Sequence, residues 1–437
     1  MRLYVLFVLK ETNNFERTMD VSRYFPQLQD ISKAKITLSE VITPTPLMHN
    51  MHLSDAYDAN VFLKREDLQI VRSYKIRGAY NKIKSLSPEQ LECGIVCASA
   101  GNHAQGVALS CKLLNIKGTI YMPSTTPKQK IEQVKMFGNG CIEIILSGDT
   151  FDASNIEAKE YASQTGKTFI PPFDDPKIIE GQGTIGMEIL QDSKCQLDYI
   201  FVPIGGGGLV SGIGSYIKQI SPSTKIIGVE PAGAASMKAS LEKGEVTELD
   251  RIDKFVDGAA VKRVGNYTFE ICKKVLDDIV VVPEGAVCST ILELYNKNAI
   301  VVEPAGAISV TALRFYADKI KGKNIVCIIS GSNNDITRME EMREKSLLYE
   351  RLKHYFIIRF PQRSGALLGF IRDTLGPNDD ITHFSYIKKT NKEAGPAVIG
   401  IEVATPEDYL KLIKRMDEQG IVYEYLNEKK DLFEFLI

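Results

Sequence analysis

The chain has 437 residues, room for two or three domains of ordinary size. Hydrophobic residues make up 44% and charged residues 25%, the balance of a folded protein with a core deep enough to bury a cofactor. Lys and Arg (53) nearly match Asp and Glu (55), so a net charge of −2 supplies no basic field for nucleic acid.

The N-terminus opens on a short apolar run, Leu3, Val5, Leu6, Phe7, Val8 and Leu9, which Lys10 and Glu11 interrupt. It is shorter than a usual secretory core. No window approaches the ~18–20 apolar residues of a membrane span. Residues 1–29 therefore read as an extension, and the protein as cytoplasmic without membrane contact. Eight cysteines (Cys93, Cys97, Cys111, Cys141, Cys195, Cys272, Cys288, Cys327) lie in apolar stretches without CxxC or zinc-like spacing. That is the usage of free thiols in a reducing compartment, and no metal is expected from them.

From about residue 60 to 330, short β-branched runs alternate with helical segments and Gly-rich turns. Residues 61–64, 94–98, 118–122, 199–203, 225–229 and 324–329 read as strands, with a helix over about 102–114. Apolar runs of this length between helices indicate buried parallel strands in right-handed βαβ units. After Ser330 the style changes. Residues 335–353 are densely charged and helical, a connection between domains. Beyond them come a strand (354–360), a helix (365–375), two strands (381–388 and 397–403), a Thr405-capped helix to 416 and a last strand (421–426). That βαββαβ order is a small α+β ferredoxin-like module. The expected organisation is an extension over 1–29, an α/β domain over 30–345 and the module over 346–437.

Four segments carry residue types suited to chemistry. Ser73-Tyr74-Lys75-Ile76-Arg77-Gly78-Ala79 centres on Lys75. An amine that attacks an aldehyde must be deprotonated, and burial or a neighbouring cation such as Arg77 lowers its pKa to allow that. Alone, the same triplet is the solvated start of a basic helix. Gly205, Gly206, Gly207 and Gly208 follow a strand and precede a helix, so several backbone N–H groups can converge on one phosphate. The run is neither a Walker A loop nor GxGxxG, and without a ligand it is a tight strand–helix turn.

Ser99-Ala100-Gly101-Asn102-His103 starts a helix directly after a buried strand and offers donors for a carboxylate. Asn102 can also bond a ring hydroxyl, and His103 is open to a structural or a catalytic part. Ser330, in Ser330-Gly331-Ser332-Asn333, ends the last parallel strand, where open α/β sheets bind ligands; it is equally a helix N-cap. A lysine with an anion cradle and two Asn/Ser turns, in this order, points to a pyridoxal phosphate site.

Together these segments resemble the fold-type II pyridoxal phosphate enzymes (tryptophan synthase β-like, two open α/β lobes), and within them the biosynthetic threonine dehydratase family. Thr43-Pro44-Thr45-Pro46-Leu47, Lys64-Arg65-Glu66-Asp67-Leu68-Gln69, Pro171-Pro172-Phe173-Asp174, Gly181-Gln182-Gly183-Thr184 and Glu303-Pro304-Ala305-Gly306-Ala307 are similar to family landmarks, in the family's order. The likeness runs from about residue 30 to the C-terminus. The terminal module resembles a single ACT-like regulatory domain, with Phe360-Pro361-Gln362-Arg363-Ser364-Gly365 at its strand–helix turn.

The resemblance implies pyridoxal 5'-phosphate held as a Schiff base on Lys75, which later shuttles the substrate Cα proton. It implies Gly205 to Gly208 on the phosphate, Asn102 facing the ring hydroxyl and Ser330 on the ring nitrogen. A serine partner leaves that nitrogen largely neutral. Ser99, Ala100, Gly101, Asn102 and His103 would clamp the substrate carboxylate. The implied reaction turns L-threonine into 2-oxobutanoate and ammonia, the committed step towards isoleucine, with L-serine as secondary substrate. Isoleucine as inhibitor, valine as a candidate opposing effector and a homotetramer also follow from the family.

Two departures stand out. Ser332 replaces a family glycine, and if that position needs φ > 0 the serine costs roughly 1 kcal/mol or more. Ser364 stands where the family turn has proline. The rivals are a catabolic serine/threonine dehydratase or serine racemase, and a silent amino-acid sensor. Racemases of the family carry a second serine where this chain has Ala100, whose methyl cannot relay a proton. Ser236 replaces an acid of the relatives' metal site near Glu230. Intact Lys75, Asn102, Gly205 to Gly208 and Ser330 oppose the sensor.

Overall fold

The computed structural model describes residues 21, 24–386 and 394–436. The apolar run at residues 3–9 lies outside them, as do the last two residues of the strand expected over 381–388. The described chain divides into two compact units, one from 1–282 with 297–334, the other from 283–296 with 335–437.

In the first unit, β1 (Leu47–His49) and β2 (Asn60–Arg65) pair antiparallel and open the larger sheet. The chain then leaves to build a smaller sheet from β3 (Ile95–Ala98), β4 (Gly118–Met122), β5 (Ile142–Leu146) and β6 (Thr168–Phe169). It returns through β7 (Tyr199–Pro203), β8 (Lys225–Pro231), β9 (Asp278–Val282) and β10 (Asn324–Ile329). The orders are β1-β2-β10-β7-β8-β9 and β5-β4-β3-β6. All pairings except β1 with β2 are parallel.

Every residue of β3, β4 and β7 is buried, which is why these strands read as unbroken apolar runs. Edge strand β5 has no fully buried residue and tolerates Glu143. Ile200, Val202, Val210, Ile213, Val326 and Ile328 centre the larger lobe's core. Ala79, Ile83, Ile95, Val107 and Ile120 centre the smaller lobe's. Helix Lys75–Lys84 supplies Ala79 and Ile83, so Lys75 is presented from the smaller lobe. Within the stretch expected as an extension, Tyr24 and Phe25 pack beside Ile179, Ile271 and Val275.

The second unit carries β11 (Lys353–Pro361), β12 (Asp380–Tyr386), β13 (Ala394–Glu402) and β14 (Tyr423–Tyr425) as an antiparallel sheet ordered β12-β13-β11-β14. Helices Ala366–Thr374 and Pro406–Glu418 complete the βαββαβ order. Thr405 caps the second by accepting the Asp408 N–H at 3.3 Å. Gly365, at φ 84°, makes the turn before the first, so Ser364 is spared the left-handed conformation. A further helix, Lys430–Leu436, follows.

The charged stretch after Asp335 is shorter as a helix than its composition suggests. It forms a single turn at Ile336–Arg338 and helix Met339–Tyr349, and Lys353 already belongs to β11. Ser289 and Ser346 share a hydrogen bond of 2.9 Å, so a segment from mid-chain joins this unit. All eight cysteines are free thiols. Among the described residues no helix is long and apolar enough to cross a membrane.

Candidate active site

Residues 72–74 run beside 330–332 at the end of β10, a central strand of the larger sheet. Ser73 and Gly331 form an antiparallel bridge. The Tyr74 N–H donates to the Ser330 carbonyl at 3.2 Å, and the Ser332 N–H to the Arg72 carbonyl at 2.9 Å. Arg72 takes a left-handed φ of 58° here, and Lys75 then begins its helix. Ser332 is not among the residues with positive φ. The backbone cost feared at that position does not arise, and its hydroxyl donates to the Asp67 carbonyl at 3.3 Å.

The Lys75 amine donates to the Pro172 carbonyl at 3.0 Å. Burial lowers its pKa from the ordinary lysine value to about 8, against the opposing pull of the Glu303 carboxylate. Arg77, the neighbouring cation expected from the sequence, is not the cause. Its guanidinium is fully buried and forked onto both oxygens of Glu66 and both of Glu188, each bond 2.8 Å. Lys64 adds a 2.8 Å bond to Glu188. The network ties the Lys75 helix to β2 and to helix Pro176–Asp192, a role that sequence spacing does not reveal.

The four glycines follow β7, the neighbour of β10, and Gly208 starts helix Gly208–Ile220. A Cβ on Gly206 would stand 2.2 Å from the Phe173 ring. Gly207 has a φ of 93°, where an L side chain is strained. The Thr268 hydroxyl donates to the Gly206 carbonyl at 2.6 Å and pins the loop. Asp174 accepts the N–H groups of Asn266, Tyr267 and Thr268 at 2.8, 2.9 and 3.2 Å, holding Thr268 in place. Beside Gly208 lies the Gln182 amide, 1% exposed, both of its polar atoms without a partner among the described residues.

From the smaller lobe, the Ser99 N–H bonds the Tyr121 carbonyl at 3.0 Å and the Ser99 hydroxyl accepts from the Gly101 N–H at 3.3 Å. Helix Asn102–Leu114 starts there. Gly106 brings it against the Lys75 helix; a Cβ would lie 3.2 Å from the carbonyl carbon of Lys75. Asn102 donates from Nδ2 to Glu303 at 2.6 Å and accepts at Oδ1 from Asn333. Glu303 itself is pushed up to about 7 by burial.

His103 turns away from this group. Its Nε2 meets the Ile170 carbonyl at 2.9 Å, and burial, with the Lys75 charge, drives its pKa down to about 3. Its ring is therefore neutral and structural, leaving only its backbone at the helix start. Ala100 is half-buried against the smaller lobe's core. The Ser330 hydroxyl donates to the Ala305 carbonyl at 3.2 Å. Glu230 caps helix Ser236–Lys243, accepting the Met237 and Lys238 N–H groups at 2.7 and 2.8 Å.

Residues 38–331 match the pyridoxal-phosphate dependent enzymes, and residues 344–436 match the C-terminal regulatory domain of threonine dehydratase. A relative from Halalkalibacterium halodurans named L-threonine dehydratase biosynthetic IlvA is 60% identical over 94% of this chain and 99% of its own. The chain belongs to the biosynthetic threonine dehydratase family. Among solved structures, processed threonine deaminase isoform 2 from Solanum lycopersicum aligns with TM-score 0.70 and 41% identity, over 74% of this chain and 90% of that one. Maize serine racemase aligns with TM-score 0.68 and 32% identity, over 75% of this chain and all of that one.

Like other biosynthetic threonine dehydratases, the protein uses pyridoxal phosphate. The residues present fit the group. The glycine loop leaves no room for a Cβ at Gly206, its N–H groups lie at a helix start, and the buried Gln182 amide beside it lacks partners among the described residues. A buried amine of lowered pKa completes the set.

Proposed function

We propose that the protein converts L-threonine into 2-oxobutanoate and ammonia, the first step towards isoleucine, in the cytoplasm. The observation that carries this reading is the Lys75 amine, its pKa lowered to about 8 by burial and its helix tied through Tyr74 to the end of β10, beside the glycine loop after β7. The site residues are assigned as follows. Lys75 binds the cofactor covalently, the Gly205 to Gly208 N–H groups hold its phosphate, Asn102 meets its ring oxygen and Ser330 its ring nitrogen. When bound, pyridoxal phosphate supplies an electron sink for the pair released at the substrate Cα.

The chain's own groups do the rest. The first-turn N–H groups of helix Asn102–Leu114, with Ser99, bind and orient the substrate carboxylate. The Lys75 amine takes the Cα proton as general base. Loss of the β-hydroxyl with that proton releases water, and hydrolysis of the resulting enamine yields the 2-oxo acid and ammonia. Ala100 holds no proton to deliver from the other side, which favours elimination over racemisation. L-serine, lacking the methyl, is a secondary substrate.

Isoleucine inhibits through residues 346–437, with valine opposing, as a coupling of roughly 1–3 kcal/mol between sites. The active form is a homotetramer, and the catalytic part spans residues 30–345. The test is 2-oxobutanoate formation from L-threonine by the full chain, with amide exchange followed as isoleucine is added. Turnover with isoleucine-dependent protection in residues 353–426 supports the reading. Absence of 2-oxobutanoate contradicts the activity, and protection confined to residues 99–106 contradicts the regulation.

A further inference from the structure

We propose that Glu303 and Asn333 are positioning residues that set the amide of Asn102, so that Asn102 offers the cofactor ring oxygen a donor and never an acceptor. This rests on the role assigned to Asn102 above. An asparagine side chain presents C=O on one side and NH2 on the other, and its neighbours decide which way it lies. Here both neighbours are decided. Glu303 Oε1 takes one N–H of Asn102 Nδ2 at 2.6 Å, and Asn333 Nδ2 donates to Asn102 Oδ1.

Neither neighbour is free to change its part. Asn333 Nδ2 also donates to the Val71 carbonyl at 3.0 Å, so reversing its amide would set an oxygen against a carbonyl. Glu303 is 4% exposed, and its backbone N–H donates to the Gly331 carbonyl at 3.2 Å. Its carboxylate lies so close to Gly331 that a Cβ there would be 2.6 Å from Oε1. A reversed Asn102 would put its oxygen against that carboxylate and its NH2 against the Asn333 donor.

One N–H of Asn102 is left for the ligand. A donor at the ring oxygen favours its anionic form. Glu303 and Asn333 touch Asn102 rather than the reacting atoms, and they act through it. The pair comes from two turns that the sheet order brings together, residue 303 before helix Pro304–Thr311 and residue 333 after β10.

The test uses the full-length holoenzyme and four variants, Asn102→Ala, Glu303→Ala, Asn333→Ala and Glu303→Gln. Pyridoxal phosphate affinity and the pH titration of the cofactor's visible absorption band are measured alongside folding. We expect Asn102→Ala, Glu303→Ala and Asn333→Ala each to weaken affinity about tenfold, the scale of one charge-assisted hydrogen bond. All three should displace the titration in the same direction. Glu303→Gln, which keeps an acceptor oxygen at the same reach, should stay within about threefold of the parent. If Asn102→Ala alters band and affinity while Glu303→Ala and Asn333→Ala lose only thermal stability, the positioning role is overturned and the Asn102 assignment stands. If Asn102→Ala itself leaves both readouts unchanged, the assignment fails and the proposal with it.

Discussion

Tyr74 donates its backbone N–H to the carbonyl of Ser330 at 3.2 Å. This bond joins the residue just before Lys75 to the residue just after β10, and thereby connects the smaller lobe's reactive helix to the larger lobe's central strands. The glycine loop after β7 is the next strand end along. A lysine, a serine and a glycine loop far apart in the chain thus come together at the C-terminal ends of neighbouring parallel strands, where open α/β sheets bind ligands.

Burial holds the Lys75 pKa at about 8, and only the neutral amine is a nucleophile. Below that pH each unit of acid removes about nine-tenths of the reactive form. The rate at which apoenzyme takes up pyridoxal phosphate should therefore rise about tenfold per pH unit up to about 8 and then level off. An ordinary lysine would keep gaining to about pH 10. Stopped-flow absorbance between pH 6 and 10 distinguishes the two, and a continued rise above pH 9.5 would contradict the burial argument.

Gly206→Ala should cost cofactor binding more than folding, because the added methyl meets the Phe173 ring at 2.2 Å and must open the loop. Overpacking of this kind costs about 1–3 kcal/mol, and equilibrium dialysis should record a loss of roughly tenfold to a hundredfold in affinity. Unchanged affinity would show that the loop does not hold the phosphate.

The sequence carried the parallel strands, the glycine loop and the βαββαβ module, because each is written in local signals: apolar runs, turn residues and a Thr405 cap. Pairings between distant side chains left no such signal. Arg77 looked like the cation that tunes Lys75, and only the fold shows its charge consumed by Glu66 and Glu188. Asn102 was legible as a helix-start donor, whereas its contacts to Glu303 and Asn333 depend on the order of strands. Ser332 raised a strain that does not arise, because its φ is not positive in the folded chain. The side chain of His103 reads from sequence like its neighbours, but burial and Ile170 claim it.

Arg77→Met should be strongly destabilising. It takes from the buried Glu66 and Glu188 carboxylates the guanidinium they share, Glu188 keeping Lys64 and the part-buried Lys35. Removing one partner of such a network costs about 3–5 kcal/mol, to be read from urea denaturation of the first unit's signal. A loss under about 1 kcal/mol, the scale of an exposed pair, would mean that the network adds little.

Ala100→Ser restores the hydroxyl that the racemase reading requires on the face opposite Lys75. We expect it to produce D-serine from L-serine at a level that chiral chromatography detects, with some loss of 2-oxobutanoate formation from threonine. The parent should produce no D-isomer. D-serine from the parent, or none from a well-folded Ala100→Ser, would contradict the part given to this position.

The most direct measurement is on Lys75→Ala in the full-length protein, reconstituted with pyridoxal phosphate. The cofactor's visible absorption band and 2-oxobutanoate formation from L-threonine are followed together, with circular dichroism to report folding. We expect a folded protein that lacks the covalent cofactor band and has lost keto-acid formation. A folded Lys75→Ala that turns over threonine at the parent rate would contradict the assignment of Lys75, and with it the mechanism.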